Sequence, residues 1–99
     1  MRNGAVIRID ADAAGYPCQG RGQYLSRFDP EARRGRGKIT TTADPTRAMI
    51  FSTHEEALAC WRRQSTVRPL RDDLEPNRPL TAFTISILSV ADALQGMPW

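Results

Sequence analysis

Phe51-Ser52-Thr53-His54-Glu55-Glu56-Ala57-Leu58-Ala59-Cys60-Trp61-Arg62-Arg63-Gln64 is the stretch on which the fold turns. Ser52 followed three residues later by Glu55 forms a capping box, with Thr53 and Glu56 as the alternative register, so a helix starts here either way. Glu55 and Glu56 fall in the first turn and Arg62 and Arg63 in the last, the arrangement the helix dipole favours. Ala57, Leu58 and Trp61 share a face at helical spacing, while Glu55, Arg62 and Arg63 point elsewhere. A helix with one apolar face needs a surface to lie on, and the flanking sequence supplies strands.

Ala5 to Asp10 alternates, with Ala5, Ile7 and Ile9 on one side and Val6, Arg8 and Asp10 on the other, which predicts a half-buried strand. The glycines and proline of Asp12–Gly22 mark a loop. Gln23 to Phe28 reads as a second strand, with Tyr24, Ser26 and Phe28 on one side and Leu25 on the other. Lys38 to Thr42 has strong β propensity. These two strands form a hairpin whose long tip, residues 30–37, is charged and broken by glycine.

Asp44-Pro45 is an N-cap followed by proline at the first helical position, which predicts one short turn with Ala48 and Phe51 anchored in the core. Arg68-Pro69, Glu75-Pro76 and Arg78-Pro79 each force the residue before proline to extend, so 65–79 is read as a surface excursion. Leu80 to Leu88 follows as the longest strand, with Phe83, Ile85 and Ile87 on one face and Ala82, Thr84 and Ser86 on the other. Ser89 caps a short helix carrying Val90, Ala91 and Leu94 across 89–95, ended by Gly96 and Pro98. The expected architecture is α+β: one domain over 1–99, a small antiparallel sheet of about four strands, and one main helix packed on one face. Leu58 and Trp61 pack against Ile7, Ile9, Phe83 and Ile85 in this arrangement.

Composition narrows the function classes. Ninety-nine residues, 40% hydrophobic and 25% charged, suit a single globular core rather than a disordered chain. No apolar run approaches the roughly 20 residues of a membrane span, and Arg8 follows Ala5-Val6-Ile7 too soon for a signal peptide, so a cytoplasmic protein is expected. Cys18 and Cys60 lack a CxxC partner and read as reduced thiols, with a disulfide between them left open.

The net charge of +3 is unevenly placed: Arg21–Lys38 holds six basic residues against two acids, and Arg62–Arg78 five against three. Thirteen of the fourteen basic residues are arginine, whose planar fork suits phosphate and carboxylate, although a GC-rich genome yields the same bias.

Catalytic motifs fail one by one. His54 and Cys60 lie about 240° apart around a helix and form no local pair. His54-Glu55-Glu56 lacks the second histidine of a zinc motif. Gly35-Arg36-Gly37-Lys38 would need glycine at 32 and Ser or Thr at 39 to be a phosphate loop, and Ala32 and Ile39 stand there. No enzyme, metal or cofactor is expected.

The strings Trp61-Arg62-Arg63-Gln64-Ser65, Val67-Arg68-Pro69 and Asn77-Arg78-Pro79-Leu80-Thr81-Ala82-Phe83 resemble a group of small phage and prophage proteins of Proteobacteria. Tyr24-Leu25-Ser26-Arg27-Phe28-Asp29-Pro30 and Gly35-Arg36-Gly37 are similar to the same group, so the resemblance spans residues 24–88. Asp73-Leu74-Glu75-Pro76 departs from it, because the relatives are expected to carry a glycine-bearing turn there, and the segment from Ser89 is peculiar to this chain. The resemblance implies a phage accessory gene, and such genes often encode small inhibitors of host defence.

The resulting expectation is an anti-CRISPR-like, anti-defence protein that binds a host protein or ribonucleoprotein stoichiometrically. The alternative is a basic nucleic-acid-binding module in which Tyr16 or Tyr24 stacks a base. Candidate partner-binding residues are Arg33, Arg34, Arg36 and Lys38 on the tip, with Arg62, Arg63, Arg68, Arg71 and Arg78 on the proline-stiffened segment. A homodimer through the open sheet face, where Ala82, Thr84 and Ser86 are only mildly polar, is a further partner to consider.

Overall fold

The computed structural model describes residues 4–95; Gly96 and Pro98, expected to end the last helix, lie outside them. Four strands form one antiparallel sheet: β1 (Ala5–Asp12), β2 (Tyr24–Asp29), β3 (Lys38–Thr42) and β4 (Phe83–Ser89), in the order β3-β2-β1-β4. The main helix, α1 (His54–Trp61), packs on one face. The architecture is therefore α+β, as the hydrophobic periods require.

Helix α1 starts in the Thr53/Glu56 register. Thr53 Oγ1 accepts from the Glu56 backbone N–H at 3.1 Å, and the Glu56 carboxylate accepts from the Ser52 N–H at 2.9 Å. The helix stops at Trp61, with Arg62 as its C-cap, so Arg62 and Arg63 stand beyond the last turn rather than within it. Ala57 is fully buried, and Cys60 and Trp61 pack beside it against Ile7, Ile9, Phe83 and Ile85. Leu58, expected on that inward face, is half-buried and lines an open groove with Trp61, Phe83, Ile85 and Ile87. The Trp61 indole N–H donates to the Phe83 carbonyl at 3.2 Å, which ties the helix end to the edge strand.

Strand β1 is more deeply buried than its alternation predicts. Val6 is as inaccessible as Ala5, Ile7 and Ile9, because both faces of this central strand are covered at one end. Helix α2 (Val90–Gln95) and the 3-10 turn Pro45–Arg47 close the second face over Val6, Ala48, Val90 and Ala93, with Tyr24 and Leu88 alongside. Both short elements are capped as their sequences require: Asp44 Oδ1 accepts from the Thr46 N–H and Ser89 Oγ from the Asp92 N–H. Those contacts hold the Asp44 carboxyl below its ordinary pKa, through the Thr46 hydroxyl first and then its N–H.

Two irregularities interrupt the ladders. Between Leu25 and Arg27 the β2–β3 register slips, so Leu25 and Phe28 end on the same face, not on opposite ones as simple alternation predicts. A second slip, between Ile9 and Ala11, interrupts the ladder at Asp10, which lies beside Arg8 and Ser86 on the face that alternation gives it. There Arg8 Nε donates to Asp10 at 2.8 Å and the Ser86 hydroxyl donates to the same carboxylate. Burial pushes the Asp10 carboxyl up, but the Ser86 and Arg8 contacts outweigh it and hold it below the usual range.

Strand β4 begins at Phe83, because Pro79–Ala82 forms a 3-10 turn that carries the fully buried Leu80 into the core. Cys18 and Cys60 are free thiols, half-buried against the first cluster, and burial raises the Cys60 thiol despite nearby Arg63. No helix of the described residues is long and apolar enough to cross a membrane.

Candidate functional site

The hairpin tip and the proline-rich excursion pack against each other and are joined by polar contacts. Glu31 is the main fastener: its carboxylate accepts from Ser65 Oγ at 2.6 Å, from the Thr66 N–H at 2.8 Å, and from the Thr66 hydroxyl. These contacts, the Ser65 hydroxyl first and Thr66 next, lower the Glu31 pKa to about 2. Asn77, buried from the other side, donates through Nδ2 to the Gly35 carbonyl at 2.7 Å and the Arg68 carbonyl at 2.8 Å. Ser65, 1% exposed, donates its N–H to the Asn77 carbonyl and accepts from the Arg68 N–H at Oγ. Every buried side-chain polar atom among the described residues has a partner, as buried polar groups must.

At Gly35 the two segments approach closely. A Cβ at this position would lie 2.6 Å from Arg68 Cβ, and its φ of +87° suits glycine. The two residues before it are not glycines, yet Arg33 (φ 54°) and Arg34 (φ 58°) also occupy the left-handed region. That conformation costs an L-residue about 1–2 kcal/mol. The Ala32–Gly35 turn is thus a strained loop, held by Glu31 on one side and Asn77 on the other. Backbone strain that persists in this way clusters at functional sites. Leu74 (φ 67°) is the third such residue.

Fastening the segments brings four arginines from two parts of the chain around one hollow of about 560 Å³: Arg33, Arg34 and Arg36 from the tip, and Arg68 from the excursion. Among the described residues Arg33, Arg34, Arg36 and Lys38 make no ion pair. Arg68 is bonded to Asp72 at 2.6 Å, and Arg71 lies 3.6 Å from Asp73. Arg36, Arg68 and Arg71 border an adjoining hollow that also contains both aspartates, so the positive field weakens toward that end. Arg62, Arg63 and Arg78 are exposed but line none of these hollows.

On its other side the arginine turn borders a cleft of about 540 Å³. Arg33, Arg36 and Lys38 form its rim, and half-buried Phe28, Ile39, Pro79 and Phe83 line it. Neither tyrosine expected to stack a base belongs here. Tyr16 is exposed at the β1–β2 loop, and Tyr24 packs against the second core cluster. Phe28 and Phe83 are the aromatic groups at the arginines; simple alternation puts Phe83 in the core and Phe28 on the face opposite Leu25, and the β2 bulge brings Phe28 round to this side.

Among the described residues no three His, Cys, Asp or Glu side chains gather as metal ligands. No protein family, curated protein or solved structure matches the chain.

Proposed function

We propose that the protein is a small binding protein whose arginine face grips the phosphate backbone of a host nucleic acid, the RNA of a defence ribonucleoprotein above all, and blocks that complex stoichiometrically. The observation that carries this reading is the convergence of Arg33, Arg34 and Arg36 with Arg68, three of the four without an ion-pair partner among the described residues. Guanidinium forks presented by a fixed backbone bond phosphate bidentately with little ordering cost. The setting, a phage accessory protein directed at host defence, comes from the resemblance of residues 24–88 to phage proteins.

Pull-down from host lysate, with and without nuclease treatment, tests the reading. A partner recovered in stoichiometric amount and reduced by ribonuclease is the expected result. Binding to purified RNA should weaken with salt by about 0.7 log unit per log unit for each phosphate held. Replacing Arg33, Arg34 and Arg36 together with Gln should abolish it. A partner retained undiminished after nuclease would replace the phosphate reading with an acidic protein surface, and recovery of no partner would reject stoichiometric blockade.

A further inference from the structure

We propose that the cleft between β3 and the Pro79–Phe83 segment is a nucleotide site, taking an unstacked base while Arg33 and Arg36 hold its phosphate. The inference rests on the phosphate-binding reading and adds what that reading lacks, a place for the base. Arg33 and Arg36 belong to both hollows, so a phosphate between them leaves its sugar and base directed over the cleft. The cleft volume of about 540 Å³ falls in the roughly 300–1,000 Å³ range of small-molecule sites.

Its lining is of the right chemical kind. Phe28 and Phe83 offer aromatic surface to a base, with Ile39 and Pro79 beside them. Among the described residues no carboxylate lines the cleft, which suits an anion. The Gln19 side chain, exposed at the cleft, makes no hydrogen bond within the described residues and offers both a donor and an acceptor to a base edge. Gly37 shapes the cleft: a Cβ there would meet Pro79 Cβ at 2.5 Å, so only glycine lets the tip close this tightly over the proline. A base inside a duplex is already stacked and paired, so the occupant is a nucleotide of a single strand or a free one.

Fluorescence anisotropy with the full-length protein separates this from backbone binding alone. The probes are a labelled single-stranded RNA, an abasic strand of the same length and charge, the corresponding duplex, and AMP as competitor. The base-bearing strand should bind about tenfold more tightly than the abasic one, the scale of one stacked base. Ala82→Ile, which adds bulk without a ring at an exposed position on the cleft wall, should reduce that difference while leaving abasic binding unchanged. Competition by AMP would identify a free nucleotide as sufficient, and competition by the strand alone would identify a polymer. Equal binding of base-bearing, abasic and duplex probes would overturn the nucleotide site and leave the arginine face standing. Absence of binding by every probe at low salt would overturn both.

Discussion

Two halves of this small protein are held together by different physics. Around β1 and α1 the contacts are apolar: Ala5, Ile7, Ile9, Leu25, Ala57 and Leu80 are all fully buried, and shape and area do the stabilising. Where the tip meets the excursion, the contacts are polar: one carboxylate, one carboxamide and two hydroxyls join the segments over two glycines. Apolar burial is indifferent to direction, and so it builds a robust keel. Hydrogen bonds are directional, and so they can hold Arg33 and Arg34 in a conformation that the chain itself disfavours. The arginine face is therefore a device attached to the fold rather than a by-product of it.

Damage to the apolar half should have the largest effect. Ile7 is fully buried on the central strand beneath α1, and Ile7→Ala should cost about 2–5 kcal/mol. Denaturant unfolding would show one cooperative loss with the whole molecule affected. If Ile7→Ala loosened only the tip, the sheet would not be the keel.

From the polar side, Asn77→Ala removes the amide that satisfies two backbone carbonyls and should cost about 1–3 kcal/mol. The loss should fall on the tip and excursion first. Hydrogen exchange would then accelerate at Ser65, whose N–H donates to Asn77, and along the turn at Gly35, while β1 and β4 stay protected. RNA affinity should fall although no arginine has changed, because Arg33–Arg36 and Arg68 would no longer be held together. Uniform acceleration across the sheet would instead make the two halves a single cooperative unit.

The same contrast explains what could be read from the amino-acid order. Periodicity located all four strands and the main helix, since apolar residues at spacing two or at helical spacing report on which face meets a core. Asp44 and Ser89 announced their caps, because a short polar side chain before an apolar run has a local partner, whereas Ser52 and Thr53 offered two registers and Thr53 took the cap. The fastener was not legible: Glu31 bonds residues some thirty-five positions away, and Asn77 bonds Gly35 across forty-two. Nothing in the spacing of a lone Glu or Asn says what it will meet. Arg33–Lys38 and Arg68 were recognised as clusters, but their meeting at one hollow depends on those distant bonds. Arg62, Arg63 and Arg78 carry the same composition and lack the contacts that would bring them in. The aromatic lining escaped notice for a related reason, because a one-residue bulge in β2 reverses the face on which Phe28 emerges.

Acid gives the gentlest separation of the halves. In the fastened state the Glu31 carboxyl is lowered to about 2 by the Ser65 and Thr66 hydroxyls and the Thr66 and Val67 N–H groups, against an ordinary value of 4.5. A lowered folded value means that ionisation favours fastening above the ordinary value, and that the advantage is lost as pH falls from about 4.5 toward about 2. Asp10 and Asp44 are lowered as well and act in the same direction, but they belong to the sheet and its short turn rather than to the tip. An NMR titration should therefore show the Thr66 and Val67 amides shifting as pH falls toward about 2, a change confined to the tip and the excursion. Glu31→Gln should remove that transition and leave the acid response of the sheet in place. If the variant kept it, the acid-sensitive link between tip and excursion would have to lie in another group, and Glu31 would be only a bystander to the strained turn beside it.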